Sequence, residues 1–230
     1  MTYGVRLSPR RQIGSGRRSG KLGFMHDMTR LRDAIVVWVA GRAGAESAGE
    51  VVRELVGAAR TVVLVEGVSD AAALESLAAR RDRDLGAEGV CVVPMGGATS
   101  IGRHVELLSS LDVRLAGLSD RNEWEFYERA LERTGLGTAG FFVCDADLEY
   151  ELIRVLGVEG VEQVIEEQGD LQTLRTFQRQ PAQRLRSVDH QLHRWFGSIG
   201  GRKERYAGAL VGALDLANVP RPLDELLAYA

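Results

Sequence analysis

The chain has 230 residues, of which 45% are hydrophobic, and this is enough to bury a substantial core. Its formal net charge of −3 does not indicate the basic domain that is typical of nucleic-acid binders. No apolar run is long enough to cross a bilayer, and no apolar signal-peptide core follows the basic N-terminus. We therefore expect a cytoplasmic protein with no membrane partner.

The only two cysteines, Cys91 and Cys144, each lie inside an apolar run that is typical of a central strand. Reduced cysteine behaves there as a small hydrophobic residue. A disulfide or a zinc site is the less favoured interpretation, because no second Cys or His lies at ligand spacing from either residue. This usage favours a reducing cytoplasm.

The first segment, residues 1–24, is rich in Gly and Ser and contains no acid. Its basic residues are Arg6, Arg10, Arg11, Arg17, Arg18 and Lys21. This composition predicts a flexible basic arm. Contact with a phosphate backbone, a solvated tail and an extension translated from an upstream start all agree with it.

Residues 25–60 show helical spacing of apolar residues and form the predicted N-terminal helical segment, divided near Gly41 and Gly44. Residues 61–156 then alternate short Val/Leu-rich runs with helical patterns. This alternation predicts an α/β core with a mostly parallel four-stranded sheet flanked by helices. Residues 157–230 are a predicted helical C-terminal extension.

Each predicted strand ends in polar or glycine residues. They are Glu66, the pair Gly96 and Gly97, Asp120, and the segment 145–149. Because the carboxyl ends of parallel strands meet at one edge of a sheet, we expect these acids to cluster there. Crowded carboxylates repel one another and need a counter-charge, which Mg²⁺ or Mn²⁺ with oxygen ligands would supply.

The neighbours of these strand ends have alternative roles. Ser69 or Asp70 could cap the first helix of the core, with Ser69 favoured, and Asp120 and Asp147 could each cap the helix that follows them. Glu66 has no such alternative, because Glu is a poor cap. Gly67 is expected to allow a sharp turn after the first strand.

Four segments, 64–70, 93–97, 118–122 and 147–149, carry a resemblance to the TOPRIM domain, in the version found in OLD-family endonucleases. The resemblance covers residues 61–156 and extends to Lys203. It implies a metal-dependent centre, with two Mg²⁺ or Mn²⁺ ions, that cleaves DNA phosphodiesters or transfers nucleotidyl groups. Two such ions about 4 Å apart clamp a phosphate in related enzymes.

The resemblance also assigns roles to individual residues. Glu66, Asp120 and Lys203 would be catalytic, and Lys203 has the alternative of a single exposed cation. Glu66 could ligate a metal or act as a general base. The implied metal ligands are Glu66, Asp70, Asp120, Asn122, Asp147 and Glu149, and the implied substrate contacts are Gly67, Gly96 and Gly97.

Two positions depart from the family pattern. Asn122 replaces a carboxylate and would bind Mg²⁺ more weakly, whereas Asp147 stands where a hydroxyl residue is common. Three functions therefore remain open: a nuclease, a catalytically weakened module that binds nucleic acid or a partner without turnover, and a phosphatase or nucleotide-processing enzyme.

Related full-length nucleases carry an ABC-type ATPase, but this sequence contains no Gly-x-x-x-x-Gly-Lys-Ser/Thr loop. Any ATPase or helicase would have to be a separate partner, and the helical extensions are expected to serve docking or homo-oligomerisation. His190 and His193 are interpreted as a solvated or half-buried helix face rather than a metal pair, since Asp189 points elsewhere.

Overall fold

The computed structural model describes residues 16–230, with side chains from residue 26 onward. The strands are β1 (Thr61–Val65), β2 (Val90–Pro94), β3 (Arg114–Asp120) and β4 (Phe141–Cys144). The helices are α1 (Gly16–Ala40), α2 (Ala45–Leu55), α3 (Val68–Arg80), α4 (Ile101–Leu108), α5 (Trp124–Thr134), α6 (Leu148–Glu167), α7 (Leu171–Gln178), α8 (Val188–Phe196), α9 (Arg202–Ala213) and α10 (Arg221–Tyr229).

The four strands form one sheet in the order β2-β1-β3-β4, and every neighbouring pair is parallel. The predicted α/β fold is therefore confirmed. Successive side chains of a strand face opposite sides of the sheet, so β1 supplies both faces. Val63 and Val65 enter one hydrophobic cluster, whereas Val62 and Leu64 enter the other.

The two clusters divide the helices between the faces of the sheet. One cluster joins the sheet to α3 and to the C-terminal helices, and its largest buried side chains include Trp195, Phe196 and Tyr206. The other joins the sheet to α1, α2, α4 and α5. The predicted C-terminal extension is thus packed on the sheet through the same core as the strands.

The N-terminal helices separate where the sequence predicted. Gly41 and Gly44 lie between α1 and α2, and both have positive φ. The start differs, however, because α1 begins at Gly16 rather than near residue 25. Residues 1–15 of the predicted basic arm lie outside the described residues. Within residues 16–230, no helix is both long and apolar enough to cross a membrane.

Candidate metal centre

We call the carboxyl edge of the sheet, with the side chains that lie there, the rim. Four carboxylates gather where β1 and β3 end and form the acidic half of the rim: Glu66, Asp70, Asp120 and Glu123. Glu66 follows β1 directly, and Asp70 lies in the first turn of α3. Asp120 is the last residue of β3, and Glu123 ends the short 3₁₀ turn that follows it. Because β1 and β3 are parallel neighbours, their carboxyl ends bring these side chains together.

Backbone hydrogen bonds fix the chain around Glu66. The Gly67 N–H donates to Asp70 Oδ2 at 2.8 Å, which holds the Asp70 carboxylate at the start of α3. The N–H groups of Gly96 and Gly97 donate to the Glu66 carbonyl oxygen at 3.0 and 3.1 Å. Both of these glycines have positive φ, a conformation that side chains disfavour. The loop after β2 is therefore tied to the end of β1.

The acidic half has too little positive charge. Burial, reinforced by neighbouring carboxylates, raises the pKa of Glu66 to about 7 and that of Asp70 to about 7. Burial and the charges of Glu66 and Asp147 raise the pKa of Asp120 to about 8. A carboxylate whose pKa rises this far is poorly solvated, and the charge of Lys203 offsets only part of the rise for Glu66 and Asp70. These acids would gain from a bound cation.

Glu66 and Glu123 show the crowding directly, because their carboxyl groups lie within hydrogen-bond reach. Glu123 Oε2 is buried and finds no donor within the described part of the chain. The contact is favourable when one carboxyl group carries a proton. It can also be satisfied when a cation lies between the two groups.

The second group of site residues, which we call the paired half of the rim, consists of Asp147, Glu149, His193 and Lys203. His193 Nε2 lies 2.6 Å from Asp147 Oδ2. Lys203 Nζ donates to Glu149 Oε2 at 2.9 Å and lies 3.9 Å from Asp147 Oδ2. The acids lie at the start of α6, and the cations come from α8 and α9 of the C-terminal helices.

The pKa shifts of the paired half favour the charged forms of its residues, whereas those of the acidic half favour the neutral forms. Burial alone would raise the pKa of Asp147, but hydrogen bonds from His193 and from the Tyr150 N–H hold it below its ordinary value. The same contact with Asp147 raises the pKa of His193. Burial opposes the charged form of Lys203, yet Glu149 and Asp147 raise its pKa. Each charge in this half has a partner.

The structure brings Glu66, Asp70, Asp120, Asp147 and Glu149 within electrostatic range of one another. Lys203 joins them, as the resemblance implied. Asn122 does not, because it lies exposed in the 3₁₀ turn. Glu123 takes its place at the rim, since residues three apart eclipse in a 3₁₀ turn and Glu123 therefore lies on the side of Asp120.

Three local expectations about caps and turns have clear outcomes. Asp147 caps α6, because its Oδ1 accepts the Tyr150 N–H at 2.8 Å. Ser69 is not the cap of α3: the cap is Gly67, and its N–H is bound by Asp70. The sharp turn expected at Gly67 is also absent, because its φ of −134° and ψ of 178° are extended backbone that any residue can adopt.

Sequence reasoning missed Glu123 and the role of His193. The eclipsed spacing of a 3₁₀ turn after a strand is a signal that could have found Glu123. His193 contacts Asp147, which lies 46 residues earlier in the chain, so no local spacing predicts this contact. The interpretation of His193 as part of a half-buried face describes its exposure correctly but misses its partner, whereas His190 is exposed.

The donor chemistry of the rim fits a hard divalent cation. Its ligating atoms are carboxylate oxygens, which Mg²⁺ and Mn²⁺ prefer, and the buried Glu123 oxygen needs a partner. Within residues 16–230, however, no group of three or more His, Cys, Asp or Glu side chains is arranged to hold a metal ion as it stands. The rim therefore gathers suitable ligands without closing them into a finished site.

A family model described as "Overcoming lysogenization defect protein-like, TOPRIM domain" matches residues 59–121, which include Glu66, Asp70 and Asp120. No curated protein matches the chain.

Solved structures extend the likeness beyond the matched segment. The C-terminal region of the Burkholderia pseudomallei OLD protein is 23% identical with a TM-score of 0.57, covering 74% of this chain and 96% of that one. The C-terminal region of the Xanthomonas campestris pv. campestris OLD protein is 24% identical with a TM-score of 0.58, covering 74% of this chain and 94% of that one. Likeness at this identity establishes the fold.

Residues 59–121 therefore match a TOPRIM domain, and the fold of the chain resembles the C-terminal region of OLD proteins. TOPRIM domains bind divalent metal ions, and a domain of this type indicates a metal-dependent function related to nucleic acids.

Proposed function

We propose that this protein is a Mg²⁺- or Mn²⁺-dependent nuclease that hydrolyses DNA phosphodiesters at the rim. The observation that carries the proposal is the excess of half-buried carboxylates in the acidic half, where partial burial and mutual repulsion raise the pKa of Glu66, Asp70 and Asp120. Such a site is unstable as a set of bare anions. Divalent cations that neutralise these negative charges would stabilise the site and supply the metal ions of the proposed reaction.

The residues that would hold the cations are Glu66, Asp70, Asp120, Glu123, Asp147 and Glu149. Glu123 would serve as a ligand in place of the neutral Asn122. The rim therefore loses no carboxylate, although Asn122 departs from the family pattern. When bound, the ions would lower the pKa of an attacking water and stabilise the charge that develops on the phosphate. The four carboxylates of the acidic half carry four negative charges, which two divalent ions would balance, while Asp147 and Glu149 already contact His193 and Lys203.

The protein's own cations would act on the substrate and on the ligands. The Lys203 side chain is 41% exposed although its ammonium contacts Glu149, so it can also approach a phosphate oxygen entering from solvent. An ammonium near the reacting phosphate offsets negative charge in the transition state. His193 and the Tyr150 N–H each hold one oxygen of Asp147, and this fixes the direction of that carboxylate.

The test is nicking of supercoiled plasmid by the purified protein with Mg²⁺ or Mn²⁺. We expect relaxed plasmid in the presence of the metal, none after EDTA is added, and none with Glu66→Gln. Glu54→Gln is the matched control, because Glu54 is exposed on α2 away from the rim, and it should nick like the native chain. Nicking that survives both EDTA and Glu66→Gln contradicts the proposal.

One observation favours a second function, a TOPRIM module that binds nucleic acid or a partner ATPase or helicase without turnover. The rim is not closed into a ready metal site within the described residues. This alternative predicts that oligonucleotides bind while plasmid and a chromogenic phosphate ester both remain intact. Because the sequence has no ATPase loop, activity that appears only with a separate ATPase would identify that partner.

A further inference from the structure

A second polar site lies on the C-terminal helices, outside the rim. A cavity of about 580 Å³ opens between α7 and the segment that joins α8 to α9. Thr173 and Thr176 line one side, Phe177 and Ile199 form apolar walls, and Trp195 and Arg202 lie at its base. None of the described residues that line it is acidic.

Arg202 is the unusual feature of this cavity, because it is a buried cation without a carboxylate. Its side chain is held firmly: Nη1 donates to the Trp195 carbonyl and to Ser198 Oγ, both at 2.7 Å. The guanidinium also stacks on the Trp195 ring at 3.9 Å from the centroid. Only 7% of the residue is exposed, and no acid of the described chain forms an ion pair with it.

The remaining donors of Arg202 are unused. Nε and Nη2 make no hydrogen bond to any group in residues 16–230, although Arg202 lines the cavity. Trp195 Nε1, at the same place, is buried and likewise has no partner in the described part of the chain. A buried guanidinium with free donors is stabilised by an anion, and its planar fork matches two oxygens of a phosphate.

The position of Arg202 in the sequence connects the cavity to the rim. Lys203, the next residue of α9, contacts Glu149 of the rim, whereas Arg202 lines the cavity. Consecutive residues of a helix point about 100° apart, so Arg202 can line the cavity while Lys203 contacts the rim. The two cations are therefore adjacent residues of one helix, with Cα atoms about 3.8 Å apart.

We propose that the Arg202 cavity binds a backbone phosphate of the nucleic-acid strand, next to the phosphate that lies at the rim. This inference rests on the proposed function for its ligand, but it concerns binding and not cleavage. The Thr173 hydroxyl at the cavity wall adds a neutral donor for the phosphate oxygens. The apolar walls at Phe177 and Ile199 leave room for the adjoining sugar or base.

The test measures affinity for a fluorescein-labelled single-stranded oligonucleotide by anisotropy in EDTA, so that no metal is bound and no cleavage occurs. We expect Arg202→Gln to weaken binding about tenfold, as for the loss of one charge-assisted contact. The slope of log affinity against log salt should fall by about 0.7, the share of one phosphate contact to a single strand. Arg202→Lys should retain most of the slope.

Because Arg202 is buried, two wall variants keep the test valid if Arg202→Gln does not fold. Thr173→Glu and Thr176→Glu place a carboxylate beside the guanidinium at exposed positions, and each should weaken binding at least as much. Thr138→Glu is the charge-matched control, because exposed Thr138 precedes β4 at the opposite edge of the sheet. Circular dichroism and melting temperature establish that each variant is folded.

Three outcomes overturn the proposal. One is unchanged affinity and salt slope in the folded wall variants. Another is an equal loss in Thr138→Glu, which would show a general effect of charge. The third is binding of adenosine monophosphate that depends on Arg202 while oligonucleotide binding does not, which would make the ligand a free nucleotide. A plasmid assay that fails while these binding changes occur contradicts the nuclease and leaves the cavity supported.

Discussion

The two halves of the rim contain similar acids in opposite electrostatic states. In the acidic half, burial raises the pKa of Asp120 to about 8, with further repulsion from Glu66. In the paired half, Asp147 is also partly buried, yet its contact with His193 holds its pKa below the ordinary value. The difference lies in the partners, because the C-terminal helices bring His193 and Lys203 to the paired half.

This comparison indicates where added positive charge is needed. The β1 and β3 ends belong to the sheet and carry acids alone, whereas α8 and α9 bring His193 and Lys203 to the acids of α6. The C-terminal helices therefore do more than extend the core. They supply His193 and Lys203 as partners for one half of the rim, whereas no ion pair to the acidic half is formed within the described residues.

The largest expected effect follows from neutralising the acidic half. Asp120→Asn should reduce plasmid nicking by more than about a hundredfold, beyond the 10- to 100-fold loss that follows removal of a group merely supporting a metal ligand. The same variant should melt at a higher temperature than the native chain near pH 8 in EDTA, because one repelling charge is gone. Initial nicking rates and thermal melts measure the two effects.

Asp145→Asn is the control for this change. Asp145 lies just beyond β4, but it is exposed and pairs with Arg121 at 3.3 Å instead of joining the rim. It should leave both the nicking rate and the melting temperature near those of the native chain. If Asp120→Asn lowers the melting temperature in EDTA, the acidic half is not under electrostatic stress and the comparison fails.

The next effect tests the main cation of the paired half. Lys203→Met should lower kcat about hundredfold with little change in KM, since its ammonium stabilises charge that develops in the transition state. It also leaves the buried Glu149, which is 6% exposed, without its partner, so the melting temperature should fall. Arg194→Met, on the exposed side of α8, is the control for loss of one positive charge.

How much of this site the sequence could predict depends on the distance along the chain that each contact spans. The fold and the acids Glu66, Asp120 and Asp147 follow from strand ends, because parallel strands place their carboxyl ends together. Lys203 could be assigned only through the family resemblance, since its partner Glu149 lies 54 residues away. Glu123 depends on a turn type that the composition does not specify, and the His193 contact depends on tertiary packing.

A smaller effect concerns the stability of the metal-free protein against pH. The pKa values of Glu66, Asp70 and Asp120 are higher in the folded than in the unfolded chain, so the folded state binds more protons between about pH 4 and 8. Stability should therefore fall as pH rises through this window, by about 2–4 °C in melting temperature for each kcal/mol lost. Thermal melts in EDTA across the window measure it.

A matching prediction concerns the effect of Mn²⁺ on the melting temperature in the same pH window. Mn²⁺ should raise the melting temperature more near pH 8 than near pH 5, because the acids must lose their protons to bind it. Glu66→Gln removes one of the titrating acids and should flatten the fall in EDTA. Equal stabilisation by Mn²⁺ at both pH values would place metal binding away from the acidic half.

The smallest effect separates positioning from direct contact. His193→Gln removes a hydrogen bond that orients Asp147 but no proposed metal ligand, so Mn²⁺ affinity measured by calorimetry should fall about tenfold, at the lower end of the range for supporting residues. His190→Gln changes the same residue type on the same helix at an exposed position, and its affinity should not change. If the two variants behave alike, Asp147 does not depend on His193, and its lowered pKa must come from the Tyr150 N–H and Lys203.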